Sequence, residues 1–400
     1  MNKSFRYIVI IFGTMLLIVL VFEAYSYFQI GKSRLSPGTI TQLESQQDTK
    51  LTTNKPAPTR LTIEKVAGTL FVPWSLVWTD SHRLLVTERN GAIRVIENDV
   101  LKPQPLKTFP EVSKTGEEGL MGLARDPNYV DNHLIYTAVA YTKNKKIVVK
   151  IVRFKDENIK TSDDTIIFDD IPAAVYHDGG RIAFGPDGKL YITTGDATKK
   201  ENAQDLSSVS GKILRINSDG TIPADNPFPN SPIWTYGHRN PEGLAWHPVS
   251  HLMYSTEHGP SIIDGPAGGD EINLITKGSN YGWPLVDHEK TLAGTEHPLL
   301  LFTPAEAPAS AVFYTGDMFP EYKNDLLFGA LVGEGIVRVR FDDKDPKKIV
   351  EYEKLGFIEK GRIRDIAIGP EGAIYFTTSN RDGRGTPRTG DDSVYRIIKK

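Results

Sequence analysis

The sequence predicts an all-β protein: a six-bladed β-propeller with four-stranded blades, preceded by one N-terminal transmembrane or signal helix. A strand–turn–strand theme recurs six times along the chain. The copies stand ~50–65 residues apart, close to the repeat lengths of propeller blades carrying loop insertions. Long amphipathic helical patterns are scarce, which sets aside the α/β classes.

The copies run in order. LVWTDSHRLLVTE starts at Leu76, LARDPNYVDNHLIYTAV at Leu123 and IAFGPDGKLYITTGD at Ile182. LAWHPVSHLMYSTEHG follows at Leu244, a weaker copy AVFYTGDMFPEYKNDLLFGAL at Ala311, and IAIGPEGAIYFTTSN at Ile366. Each joins a short apolar strand to a second strand rich in Tyr, Thr and Ile, through a turn of Pro, Asp, Gly or Asn. Further strand candidates lie between copies, at Lys146–Phe154, Lys212–Ile216 and Ile336–Phe341. An irregular β-sandwich is the competing architecture. In a propeller, loops at one end of the central channel converge, so residues distant in sequence share a site.

The N-terminus has its own character. Tyr7–Phe22 is free of charge and follows Lys3 and Arg6. This reads as an anchor extended through Ala24–Phe28, or as a signal peptide cleaved near Ala24-Tyr25-Ser26. Residues 1–30 are thus a membrane or signal segment, 31–59 a polar, Pro-ending flexible linker, and 60–400 the propeller. The expected location is extracytoplasmic, anchored to the cell membrane or secreted.

Composition narrows the chemistry. A formal net charge of -3 argues against a nucleic-acid partner, which needs a basic surface. The chain has no cysteine, so disulfides, thiolate metal sites and a Cys nucleophile are excluded. No nucleotide-binding loop or G-x-S-x-G elbow is present.

Five constellations depart from the plain repeat. His177-Asp178-Gly179-Gly180-Arg181 leads into the third copy. An imidazole suits a general base near neutral pH, and glycines let a ligand approach the backbone; a loop His beside an Asx turn reads equally well. Arg239 and Asn240 sit just before the fourth copy, where they can grip a carboxylate or form a salt bridge and an Asx turn. Glu257–Pro284 is a Gly-rich acidic loop whose carboxylates and carbonyls suit Ca²⁺, or which is merely solvated. Arg362 and Arg364 alternate on a strand and so share a side, facing an anion or solvent. Glu117 and Glu118 open the second copy.

Taken together, PWSLVWTD, EEGLMGLARDP, HDGGRIAFGPDGKLYITTGD, YGHRNPEGLAW, GDEINLITKGSNYGWP and GRIRDIAIGPEG resemble, in this order, the soluble quinoprotein sugar dehydrogenases. This is the glucose/sorbosone (aldose sugar) dehydrogenase family, which uses pyrroloquinoline quinone (PQQ). The resemblance covers residues from about Arg60 to the C-terminus. It implies a six-bladed propeller that oxidises a small-molecule aldose to a lactone, with PQQ and Ca²⁺ as cofactors and an external electron acceptor. It implies His177 as the base, with Glu117, Asp178, Arg239, Asn240, Arg362 and Arg364 around the cofactor. It further implies Gly259 and Pro260 as carbonyl ligands of the Ca²⁺ beside the quinone, and Glu271 and Tyr281 at a second, structural Ca²⁺. Two positions depart from the family pattern: Glu117 replaces a Gln, and Val332 in ALVGEGIVRVR stands where the family has a cofactor-binding Lys. Two other functions stay open beside this one. One is a Ca²⁺-dependent lactonase or other hydrolase on the same fold; the other is a non-catalytic cell-surface propeller that binds a glycan or a protein.

Overall fold

The computed structural model describes residues 61–399 and the strand Lys50–Leu51. The expected N-terminal helix and the rest of the linker lie outside the described residues. Six antiparallel sheets follow one another along the chain, each with four strands as its core. Their inner strands are Pro73–Trp78, Leu120–Arg125, Ile182–Phe184, Pro241–Trp246, Pro308–Phe313 and Ile363–Ile368, which open blades 1 to 6. Each inner strand and its hairpin partner coincide with one of the six repeated copies. The three candidate strands between copies are also strands, at Lys146–Asp156, Lys212–Ile216 and Gly335–Phe341.

The ring is closed by a strand that the repeat does not announce. Leu61–Ala67 pairs antiparallel with Val394–Lys399 and becomes the outer strand of blade 6, so both ends of the domain share one sheet. Lys50–Leu51 adds a short parallel strand to the edge of blade 5.

Apolar burial explains why the sheets stack. Six hydrophobic clusters fill the six seams between neighbouring blades, for instance Leu85, Ile93, Val139 and Phe154 between blades 1 and 2. A strand covered on both faces loses the alternation of a half-exposed strand. Leu190–Thr194 and Ile374–Thr378 are accordingly buried at every position.

Inner strands of five blades carry a bulge near their start, at Trp74, Met121–Gly122, Glu242, Ala309–Ser310 and Arg364. A bulge leaves backbone groups unpaired and re-aims a side chain. The Thr-rich second strands meet that need: Thr137 Oγ1 donates to the Gly122 carbonyl, and Thr377 Oγ1 accepts the Asp365 N–H. The bulges matter for function, because they bring Trp74, Glu242 and Arg364 together in the channel. Arg364 Nη1 lies 2.5 Å from Glu242 Oε2, with its guanidinium 5.7 Å from the Trp74 ring.

Candidate active site

All the motifs singled out in the sequence sit at the end of the channel where inner strands begin and second strands finish. His177 occupies the loop before blade 3 with φ of 63°, a left-handed conformation. Its Nδ1 is 2.8 Å from Asp196 Oδ1, and its side chain is 17% exposed. Asp196 is itself fixed. Its Oδ2 accepts the buried Trp283 Nε1–H at 2.9 Å, its Oδ1 accepts the Thr198 N–H, and its own N–H donates to the Arg239 carbonyl. With the Nδ1 proton donated to Asp196, Nε2 carries the lone pair, and among the described residues it has no hydrogen-bond partner.

The two glycines after Asp178 have a different role from the one expected. The sequence predicts that they clear space for a ligand; in the structure they let the backbone pass close to its own sheet. Gly179 and Gly180 have φ of 62° and 84°, and a Cβ on Gly179 would stand 2.7 Å from the Thr193 carbonyl oxygen. A Cβ on Gly180 would meet the Met121 side chain at 2.6 Å. Only glycine takes both the conformation and the contact without strain.

Asp178 forms no Asx turn. Its Oδ1 accepts the Ala174 N–H at 2.8 Å, and its Oδ2 is buried with no partner. Burial, then the charges of Glu117, Glu118 and Glu242, push its carboxyl well above the usual range, although the Ala174 bond opposes them. Glu117 and Glu118 separate in role. Glu118 is fully buried, where burial alone would raise its pKa, but bonds from Thr115, Gly116 and Ser113 hold it below the ordinary value. Glu117 instead ion-pairs with Arg384 at 2.8 Å, and Arg384 lies 5.0 Å over the Tyr176 ring.

Asn240 ties two blades together, accepting the Gly179 N–H and donating to Glu242. Arg239 packs 5.5 Å from the Trp283 ring and pairs with Asp264 at 2.8 Å. Across the channel, Arg362 pairs with Asp382 at 2.8 Å and donates to the Leu331 carbonyl. Arg362 and Arg364 lie near each other, but not because a regular strand alternates: Arg364 is the extra residue of a bulge. Val332 is 58% exposed in the loop beside Leu331.

Gly259, Pro260, Glu271 and Tyr281, expected at two separate ions, line one small cavity of about 10 Å³ together with Glu257, His258 and Asp287. That is the space of about one water or one ion. Burial, then Glu257, Asp270 and Asp287, push the Glu271 carboxyl up to about 8, against the bond from Asn273. Among the described residues no three acidic or histidine side chains are grouped as a metal site, so a cation here would draw on main-chain carbonyls. The Tyr281 hydroxyl donates to the Leu274 carbonyl, so it is spent on the fold.

Sequence reasoning missed Asp196, Glu242, Asp382 and Arg89. A signal for two of them existed. Positions one or two residues past the second strand of a copy reach this end of the channel, which takes in Arg89, Asp196, His258, Val332 and Asn380.

Comparison with known proteins agrees with the geometry. The family model for glucose/sorbosone dehydrogenases matches residues 70–389. The aldose sugar dehydrogenase YliI of Escherichia coli is 32% identical over 351 residues, covering 82% of this chain and 92% of its own. Quinoprotein glucose dehydrogenase B of Acinetobacter calcoaceticus is 34% identical over 57% of this chain and 53% of its own. The PQQ-bound aldose sugar dehydrogenase of Streptomyces coelicolor superposes with a TM-score of 0.74 at 31% identity, over 86% of this chain and 99% of its own. A matched family domain over most of the chain, on the six-bladed fold described above, is decisive: this chain belongs to the glucose/sorbosone dehydrogenase family, the sugar dehydrogenases of the quinoprotein propeller group.

Proposed function

We propose that this chain oxidises the anomeric carbon of aldose sugars to lactones, with PQQ and Ca²⁺ as cofactors and His177 as the general base. The observation that carries the reading is the His177–Asp196 pair, set among guanidinium groups from three blades. Asp196 holds the imidazole so that Nε2 can take the proton of the C1 hydroxyl, and its charge stabilises the imidazolium that results. PQQ held by Arg239, Asn240, Arg362 and Arg364 would supply the hydride acceptor, and Ca²⁺ held at the Gly259 and Pro260 carbonyls would supply a Lewis acid.

The residues present fit a polyanionic cofactor. Arg239 stands on one side, Arg362 and Arg364 on the other, and Arg364 Nε and Arg181 Nη2 are buried donors without partners. Such donors favour an anion that can accept from them. Glu117 adds a negative charge that Arg384 offsets. Val332 supplies no cation where the family has one. The carbonyls at Gly259 and Pro260, with the acidic groups behind them, suit a hard divalent cation. Delivery outside the cytoplasm, by an anchor or a cleaved signal, belongs to the same reading and is supported by the uncharged stretch Tyr7–Phe22. An external acceptor then takes the electrons.

The test is direct. The full chain is purified, loaded with PQQ and Ca²⁺, and assayed for dye reduction with a panel of aldoses. Sugar-dependent reduction supports the reading. No reduction, together with no PQQ-induced rise in melting temperature, contradicts it.

A further inference from the structure

The geometry points to Arg89 as a carboxylate-binding residue of this site, standing in for the cation missing at Val332. This rests on the cofactor reading above and deepens it. Arg181, Arg239, Arg362, Arg364 and Arg384 each hold a carboxylate at 2.5–2.9 Å. Arg89 forms no ion pair among the described residues. Its Nη1 reaches only the Asp382 carbonyl at 3.4 Å, and its Nε is buried with no partner.

Its place is well defined. Arg89 follows the second strand of blade 1, as Leu331–Val332 follow that of blade 5. Its backbone is pinned, with the N–H donating to Val72 and the carbonyl accepting from Leu120. A Cβ on Gly119 would stand 2.3 Å from Arg89 Cγ, so the Glu117–Gly119 loop packs directly on the side chain. Asp382 joins it to the known cluster: the carboxylate holds Arg362, whose Nη1 reaches Leu331, while the carbonyl receives Arg89. Arg89 and Val332 thus belong to the two blades, 1 and 5, that adjoin the blade carrying Arg362.

A guanidinium that is partly desolvated and lacks a counter-ion is unfavourable until an anion arrives. Burial and the nearby Arg364 both lower its pKa, while Asp382, Glu118 and Glu117 act on it only through space. The missing partner is a carboxylate, and two sources can bring one: the cofactor, or a sugar acid as substrate.

Titration of the apo full chain with PQQ in the presence of Ca²⁺, followed by tryptophan fluorescence, separates these. R89Q is expected to weaken PQQ binding by about 10- to 100-fold, the range of a lost charge-assisted bond. R89K should recover most of that loss, and the apo melting temperature of R89Q should not fall. If PQQ binding is unchanged but kcat/KM for D-glucuronate drops at least ~10-fold with D-glucose unaffected, the carboxylate comes from the substrate. The inference is overturned if neither falls in R89Q. It is overturned equally if apo R89Q melts lower, which would make Arg89 a structural residue. Wild type that fails to bind PQQ removes the cofactor reading itself, whereas wild type that binds while R89Q matches it in both the PQQ titration and the D-glucuronate kinetics removes Arg89 alone.

Discussion

Replacing Asp196 by Ala isolates what the His177 environment contributes. Three donors lose their acceptor: His177 Nδ1–H, the Thr198 N–H and Trp283 Nε1–H. Thr198 is exposed and can turn to water, whereas Trp283 is 6% exposed and cannot. The folded state should therefore lose about 1–3 kcal/mol, the penalty for one stranded buried donor. Turnover should suffer more. Without Asp196 the imidazole loses its fixed tautomer and the counter-charge for its protonated form, and positioned proton transfer is worth roughly 10²–10⁴-fold. The loss should fall on kcat, because Asp196 sits behind the ring, and PQQ affinity and the sugar KM should hardly move. Steady-state dye reduction with a parallel PQQ titration measures both. A kcat within about threefold of wild type, far below the range for general-base catalysis, would refute the reasoning.

Three further outcomes follow from the same geometry. Gly179→Ala should destabilise the fold by about 1–3 kcal/mol, from a positive φ and a Cβ pressed on the Thr193 carbonyl, read as a lower denaturant midpoint; an unchanged midpoint would contradict the contact. Asp178→Asn should raise the melting temperature relative to wild type increasingly as pH rises. The sign comes from burial: a carboxyl raised in the fold contributes its stability below its ordinary pKa and loses it as pH climbs through the folded value, whereas Asn does not titrate. A melting difference that stays flat between acid and alkaline pH would count against it. Val332→Lys should tighten PQQ binding by about tenfold through one added cation beside Arg362, and a titration indistinguishable from wild type would show that this loop does not face the cofactor.

Most of the fold was legible because the repeat is local. Each copy encodes its own hairpin, and the Thr-rich second strands carry the hydroxyls that the bulged inner strands need. The closing strand Leu61–Ala67 was not legible, since it belongs to no copy and pairs across the whole length of the domain. The motifs at His177, Arg239 and Arg362 stood out because they interrupt the repeat. Asp196 did not, because the TTGD that ends the third copy reads as part of the theme. The arginine partners were hidden for another reason. Arg364 meets Glu242 from a position 122 residues away, and both reach the channel through bulges that no periodicity announces. The glycines were misjudged because sequence shows that a backbone is permissive, but not whether its own sheet or a ligand fills the space.

The central claim is that His177 deprotonates an aldose whose anomeric carbon is oxidised, and comparing the PQQ- and Ca²⁺-loaded full chain with its His177→Ala variant tests it most directly. Lactone formation from an aldose is followed alongside dye reduction, with PQQ affinity measured on both proteins. The account predicts that the wild type forms lactone in step with reduced dye, and that the variant binds PQQ comparably while losing turnover by roughly 10²–10⁴-fold. A variant that keeps forming lactone at the wild-type rate, or a loaded wild type that forms none, would contradict it.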